Sequence, residues 1–149
     1  MKRTAPPARP VSAAGGAASR RTIGEIELVS IADFGIERLP VRVDTGARTS
    51  ALHVEHLREL GNGRVSFELG SELAPIEAVI SRRGRVRSTS GELQTRLFVT
   101  TRVRLGDVED RVELGLVDRG HMHYRMLLGR SALAGRFVVD VARRFVLGR

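Results

Sequence analysis

The chain has 149 residues, of which 42% are hydrophobic, enough for one compact domain and too few for two ordinary ones. It lacks cysteine and tryptophan, and only 4% of its residues are aromatic. Disulfide scaffolds, thiol nucleophiles and cysteine-ligated metal centres are therefore excluded, and a core of Val, Leu, Ile and Ala is expected, with the β-branched share favouring strands.

The net charge of +8 is unevenly spread. Residues 1–21 hold Lys2, Arg3, Arg9, Arg20 and Arg21 with no acid, whereas acids and arginines are interleaved beyond them. The same stretch places Pro6, Pro7, Pro10, Gly15 and Gly16 among alanines, so it cannot bury enough apolar surface to offset ordering. A disordered basic tail over 1–21 and one folded domain over 22–149 are expected. The tail is a solvated arm or a contact for RNA, an anionic membrane or an acidic partner; no other part suggests nucleic acid. Pro, Gly and Arg interrupt any apolar segment of a secretory signal, and no run approaches the roughly 18 apolar residues of a membrane span. A cytoplasmic location is the expectation.

From Thr22 onward, short β-branched runs alternate with turn residues. Strands are expected over 23–31, 39–43, 51–56, 64–69, 76–80, 93–105, 108–117 and 137–141. Pro40 suits a strand start or an edge, where a missing N–H is harmless. The cationic stretch 81–91, bracketed by Gly84 and Gly91, reads as a projecting mobile loop or hairpin. Gly106-Asp107 joins two long alternating runs as a hairpin turn. A short apolar strand before Gly129 precedes one short helix over 131–134, capped by Ser131 and stopped near Gly135. The fold class is all-β, with many short strands closing into a small barrel or sandwich.

The chemical signal is the run Leu39-Pro40-Val41-Arg42-Val43-Asp44-Thr45-Gly46-Ala47. A buried strand can hold the Asp44 carboxylate rigidly, a threonine can bond neighbouring backbone, and a glycine lets that backbone approach closely. The same three residues also make an ordinary turn. A second motif, Tyr124-Arg125-Met126-Leu127-Leu128-Gly129-Arg130, lies downstream.

Together these motifs resemble the retropepsin-like aspartic peptidases, whose Asp-Thr-Gly-Ala loop lies near a later apolar-apolar-Gly-Arg segment and a short helix. The resemblance is nearest to a bacterial family labelled ATP-dependent zinc protease, through residues 43–53, 126–130 and 137–140. It implies a small barrel of the retroviral acid-protease type and a homodimer in which Asp44 pairs with its twin to activate water. Asp44, Thr45 and Gly46 would form the catalytic loop, with Thr45 bonding across the two-fold axis. Ala47 and Arg48, with Arg82, Arg83, Gly84, Arg85 and Arg87 on a flap, would contact the peptide, and Gly129 and Arg130 would support the site. Arg48 and Thr49 stand where retroviral enzymes carry acids, which puts the usual partner of Arg130 in question and points to an acidic peptide as substrate, the equal alternative being that arginine is simply frequent in this chain. The resemblance also links such proteins to ligases that add glutamates, so a poly-glutamate tail is a specific form of that expectation.

No cofactor or metal is expected. His53 and His56 are spaced three apart, unlike the four of a His-Glu-x-x-His helix, and on one strand they would face opposite sides. His121 and His123 fall in a loop before the second motif. A zinc peptidase remains an alternative, as does a β-barrel binding module, which the basic tail favours and the scarcity of stacking aromatics opposes. No Gly-rich lysine loop offers an ATP site, and no serine elbow is present. Asp33, Asp118 and Asp140 are the other candidate carboxylates, Asp140 being better explained as structural, pairing an arginine.

Overall fold

The computed structural model describes residues 20–70, 73–87, 91–118 and 120–149. The expected disordered tail lies outside these residues except at its end. Arg20 is exposed coil, and Arg21 opens a strand and forms an ion pair with Asp107.

In chain order the elements are β1 (Arg21–Gly24), β2 (Ile26–Ile31), a 3-10 turn (Ala32–Phe34), β3 (Ile36–Val43), β4 (Ser50–His53), β5 (Glu55–Gly61), β6 (Arg64–Glu68), β7 (Ile76–Val79), β8 (Arg82–Arg87), β9 (Leu93–Leu105), β10 (Val108–Val117), β11 (Met126–Leu128), helix α1 (Arg130–Leu133) and β12 (Phe137–Asp140). The strands run β10-β4-β11-β3-β2-β9, and β9 pairs again with β10, so this sheet closes into a barrel of six strands. Closure leaves these strands without a free edge. Strand β8 extends the sheet along the first half of β9, while β1 with β12 and β5-β6-β7 form two smaller sheets. Among the described residues, no helix is long and apolar enough to cross a membrane.

The barrel interior is filled by aliphatic side chains, including Val29, Ile31, Val41, Leu52, Leu114, Met126 and Leu128, with Phe34 and Phe67 meeting edge to face at 5.5 Å. Strand β9 serves three partners, meeting β2 at Leu105 and Arg104. Its first half pairs with β8 from Arg87↔Leu93 to Arg82↔Phe98, and its second half pairs with β10 from Phe98↔Gly115 to Leu105↔Val108. Phe98, at the crossover, is wedged between two glycines: a Cβ at Gly84 would meet its ring at 2.8 Å, and one at Gly115 at 2.9 Å. Any side chain at either position would force the ring out of its slot.

Several expectations hold. β9 and β10 take the anticipated bounds, and Gly106 supplies the positive φ, 64°, of their two-residue turn. Others change. The strand expected over 39–43 instead begins at Ile36, so Pro40 is not at its start but within β3, opposite Leu28 and just before the stretch Val41 to Val43 that β11 covers. The run 23–31 breaks at Glu25, whose N–H donates to the Arg143 carbonyl and whose carbonyl accepts from Val43 N–H, both at 2.8 Å. The run 51–56 breaks at Val54, and β5 follows it, closed onto β6 by a turn in which Asn62 and Gly63 both have positive φ. The Asn-Gly pair was the available signal. Of the loop or hairpin expected over 81–91, the hairpin is found, with the cationic run as strand β8 paired antiparallel to β9; residues 88–90 of its connection lie outside the described residues.

The helix begins one residue earlier than expected. Its N-cap position is Gly129, with extended backbone and no side-chain cap, and Ser131 lies inside the helix. The cap comes from elsewhere in the chain, as described below.

Glu27 is fully buried on β2, and no ion pair reaches it among the described residues. Its carboxylate instead accepts the backbone N–H groups of Gly24 at 2.7 Å, Val146 at 2.9 Å and Leu147 at 3.3 Å, which ties the C-terminal segment to the barrel. Replacing Glu27 by Ala strands those donors, so Glu27→Ala should lower unfolding free energy by about 3 kcal/mol in urea titration. The conservative Glu27→Gln, which keeps one acceptor oxygen, should lose less.

Candidate active site

Asp44 follows the last residue of β3, the strand enclosed by β2 and β11. Its N–H donates to the Leu128 carbonyl at 2.8 Å, continuing the β3–β11 pairing into the loop. Its Oδ1 accepts the Gly46 N–H at 3.0 Å, and its carbonyl accepts the Ala47 N–H at 3.2 Å. The half-buried carboxylate is thus fixed in a tight turn. A turn by itself needs nothing further; here the rest of the loop is built onto the second motif.

The first N–H groups of any helix lack partners within it. In α1, Arg130 N–H donates to the Ala47 carbonyl at 2.8 Å and Ser131 N–H to the Arg48 carbonyl at 3.0 Å. Just before them, Gly129 N–H donates to the buried Ser50 hydroxyl at 3.0 Å. The Asp44 loop therefore caps the helix, a role the sequence reading gave to Ser131. Gly129 permits the contact, since a Cβ there would lie 2.4 Å from the Thr49 carbonyl oxygen. Arg130 Nη1 donates to the Thr45 carbonyl at 3.0 Å. In a chain with Arg48 and Thr49 after Ala47, a carbonyl of the Asp44 loop is the partner Arg130 takes.

Thr45, Gly46 and Arg48 are exposed, and neither the Thr45 hydroxyl nor the Arg48 guanidinium is hydrogen-bonded among the described residues. The structure gathers Asp44, Thr45, Gly46, Ala47, Arg48, Gly129 and Arg130 into one unit. The arginines of β8 are elsewhere, on a hairpin with β9. Arg82 stacks on Phe98 at 4.0 Å from the ring centroid and forks onto Glu113 at 2.8 and 3.0 Å. Arg83 forks onto Glu59, and Arg87 donates to the Gly91 carbonyl. Arg85 is exposed and carries no such partner among the described residues. Gly84 gives room to Phe98.

The remaining candidates are dispersed. His56, with φ of 54°, bonds Glu68 at 3.0 Å, and His53 precedes the break at Val54. His123 packs edge-on against Tyr124 at 5.1 Å. Among the described residues, no three of His, Asp and Glu converge as metal ligands. Asp33 accepts the Thr101 hydroxyl at 3.0 Å, and Asp118 is exposed. Asp140 caps a turn through the Ala142 N–H at 3.0 Å and forms no arginine pair among the described residues, so its structural role is local. A groove of about 600 Å³ lies between β5, β9 and the end of β10, and Asp44 does not line it.

Two outcomes are expected. Gly129→Ala drives a methyl group into the Thr49 carbonyl and should lower stability by about 3 kcal/mol, read by urea denaturation. The Arg83 fork holds the Glu59 carboxyl below the ordinary glutamate range. The pair's contribution is therefore complete above the unfolded pKa and is lost only as pH falls through the lowered folded value. Carbon-13 NMR titration should find that low midpoint and see it return toward normal in Arg83→Met.

Residues 22–149 match the family model described as "RimB-like: Retropepsin-like aspartic endopeptidase RimB". Among similar proteins is a "Probable alpha-L-glutamate ligase" of Shewanella halifaxensis, 35% identical over 136 residues, which cover 85% of this chain and 30% of the relative. A protein of the same name from Desulfotalea psychrophila is 32% identical over 140 residues, covering 87% of this chain and 30% of the relative. The chain thus spans under a third of the length of these relatives. A Legionella pneumophila protein of unknown function shares the fold, with a TM-score of 0.72 at 24% identity over 87% of this chain and 99% of that one. On the match over 22–149, with Asp44-Thr45-Gly46 and Leu128-Gly129-Arg130 locked together in a closed barrel, the chain belongs to the RimB-like family of retropepsin-like aspartic endopeptidases.

Proposed function

We propose that the protein is a homodimeric aspartic endopeptidase whose site forms when two Asp44 carboxylates meet across a two-fold axis. The observation that carries this reading is the Asp44 loop itself: a carboxylate held by the Gly46 N–H on a backbone tied to the Leu128 carbonyl, in a loop locked to α1, with an exposed Thr45 hydroxyl beside it that is unbonded among the described residues. The sequence contains one Asp-Thr-Gly, so a second carboxylate of that kind comes from a second copy.

Two carboxylates in close contact cannot both be ionised and share a proton. The ionised one takes a proton from water as its oxygen attacks the peptide carbonyl carbon, and the protonated one gives its proton to the carbonyl oxygen. The tetrahedral product then collapses, breaking the C–N bond as the amine leaves with a proton from the dyad. The two pKa values belong to the pair. The β8–β9 hairpin serves as the flap, its base anchored by Phe98 between Gly84 and Gly115 and by the forks of Arg82 and Arg83.

An acidic peptide is the substrate class we favour. The relatives that contain a region like this chain are named as glutamate ligases, and an enzyme next to glutamate addition meets glutamyl peptide bonds. The exposed Arg48 beside Asp44 and the exposed Arg85 on the hairpin fit such a substrate.

Asp44→Asn should reduce cleavage of a glutamate-rich peptide by about a thousandfold while leaving the thermal unfolding midpoint nearly unchanged. The specific rate should fall on dilution as dimers dissociate. Full activity in Asp44→Asn would sink the reading, and tight peptide binding with no turnover by the native chain would favour a binding module instead. Loss of activity to a chelator, restored by zinc, would assign the chemistry to a metal.

A further inference from the structure

Arg96 has an unusual position on β9. Its guanidinium is half-buried, and it makes no hydrogen bond or ion pair among the described residues. Of the arginines on β8, Arg82 and Arg83 each fork onto a glutamate and Arg87 bonds a carbonyl, while Arg85, which also lacks such a partner among the described residues, is exposed to water. The Arg96 stem crosses Gly115, where any Cβ would stand 2.8 Å from its Cδ, so the glycine makes room for the side chain to lie flat. A desolvated cation without a counter-charge is unfavourable, and a carboxylate arriving beside it repays part of that loss. Burial with no offsetting anion pushes the Arg96 pKa down from the ordinary arginine value.

Arg96 lines the groove of about 600 Å³, whose walls include Leu57, Leu97 and Leu116. Glu59, on the same groove, is already matched by Arg83. Glu92 and Asp118 also line the groove and oppose a doubly charged anion more strongly than a single carboxylate. The leucines among an otherwise polar lining can meet a short methylene stem, and the planar guanidinium suits a bidentate carboxylate. The groove is also near the Asp44 loop in register. Ser50, which holds Gly129, pairs with Leu114, and Leu116 is two residues further along β10, about 7 Å. An extended peptide passing Asp44 covers that distance in a few residues.

We propose that Arg96 is a specificity-determining residue, which binds the carboxylate of an acidic side chain of the peptide substrate in the groove between β5, β9 and the end of β10. The proposal rests on the peptidase reading for its ligand, and binding tests it separately from cleavage. In the full chain carrying Asp44→Asn, which prevents turnover, fluorescence anisotropy compares a labelled oligo-glutamate peptide with its oligo-glutamine counterpart. The glutamate peptide should bind more tightly, and Arg96→Met should reduce the ratio of the two affinities roughly tenfold. Arg96→Lys, which keeps the charge but loses the fork, should fall between. Thermal unfolding of each variant controls for folding, and amide chemical shifts of Leu57, Leu97 and Leu116 should move on titration with glutamate peptide. An unchanged ratio in a folded Arg96→Met overturns the proposal, as does the absence of glutamate-peptide binding. Arg96-dependent binding without cleavage by the native chain leaves this inference standing and removes the peptidase reading; Asp44-dependent cleavage indifferent to Arg96 does the reverse.

Discussion

The contact on which the site depends is the reciprocal cap between the Asp44 loop and helix α1. A four-residue helix has more unsatisfied N–H groups than internal bonds, and it is marginal alone. A loop of Asp, Thr, Gly, Ala and Arg has no regular structure to satisfy its carbonyls. Here each solves the other's problem, since the Ala47 and Arg48 carbonyls accept the Arg130 and Ser131 N–H groups and the Thr45 carbonyl accepts the Arg130 guanidinium. The exchange works only at close range, which is why Gly129 faces the Thr49 carbonyl with no room for a methyl group. The loop is held by backbone geometry, leaving the Asp44, Thr45 and Arg48 side chains facing outward from it or half-buried.

The same economy of side chains shapes the hairpin. Gly84 and Gly115 are small so that Phe98 can pass between them, and Arg82 covers the ring while its fork reaches Glu113 on β10. The hairpin is thereby fastened to the barrel at its base, where β9 changes partner from β8 to β10. Beyond that base, Leu93 is largely exposed and Arg87 donates to the nearby Gly91 carbonyl.

Much of this was legible in the sequence. Alternating apolar residues located β9 and β10, because period two survives on a strand with one buried face. The pairing of Asp44-Thr45-Gly46 with Leu128-Gly129-Arg130 was legible only through family resemblance, since nothing local in either segment announces the other. What stayed hidden shares a physical cause. Strand β8 is a run of arginines with no apolar alternation, and it is a strand because β9 supplies its hydrogen bonds and because Glu113 and Glu59 neutralise two of its charges. Ser131 looked like the cap because serine often is one, yet the loop carbonyls had already claimed the N–H groups. Nothing local to Glu27 signals its burial, which follows from a C-terminal segment more than a hundred residues away.

Glu27 and Arg96 show two ways for this chain to hold a desolvated charge. Glu27 is fully enclosed, so its compensation must be built in, and three backbone N–H groups provide it. A carboxylate so served behaves as a structural part, with no lone pair directed at solvent for a ligand to find. Arg96 is only half-enclosed, on a groove open to solvent, and among the described residues no acid pairs with it although acids line the same groove. The three other cationic side chains of that hairpin with described partners show how readily the chain satisfies an arginine when stability is the aim. An arginine left open beside a groove, with a glycine opposite to let it lie flat, is arranged for something that comes and goes. The asymmetry follows from access: an ion that water cannot reach must be matched by the protein, and one that a ligand can reach need not be.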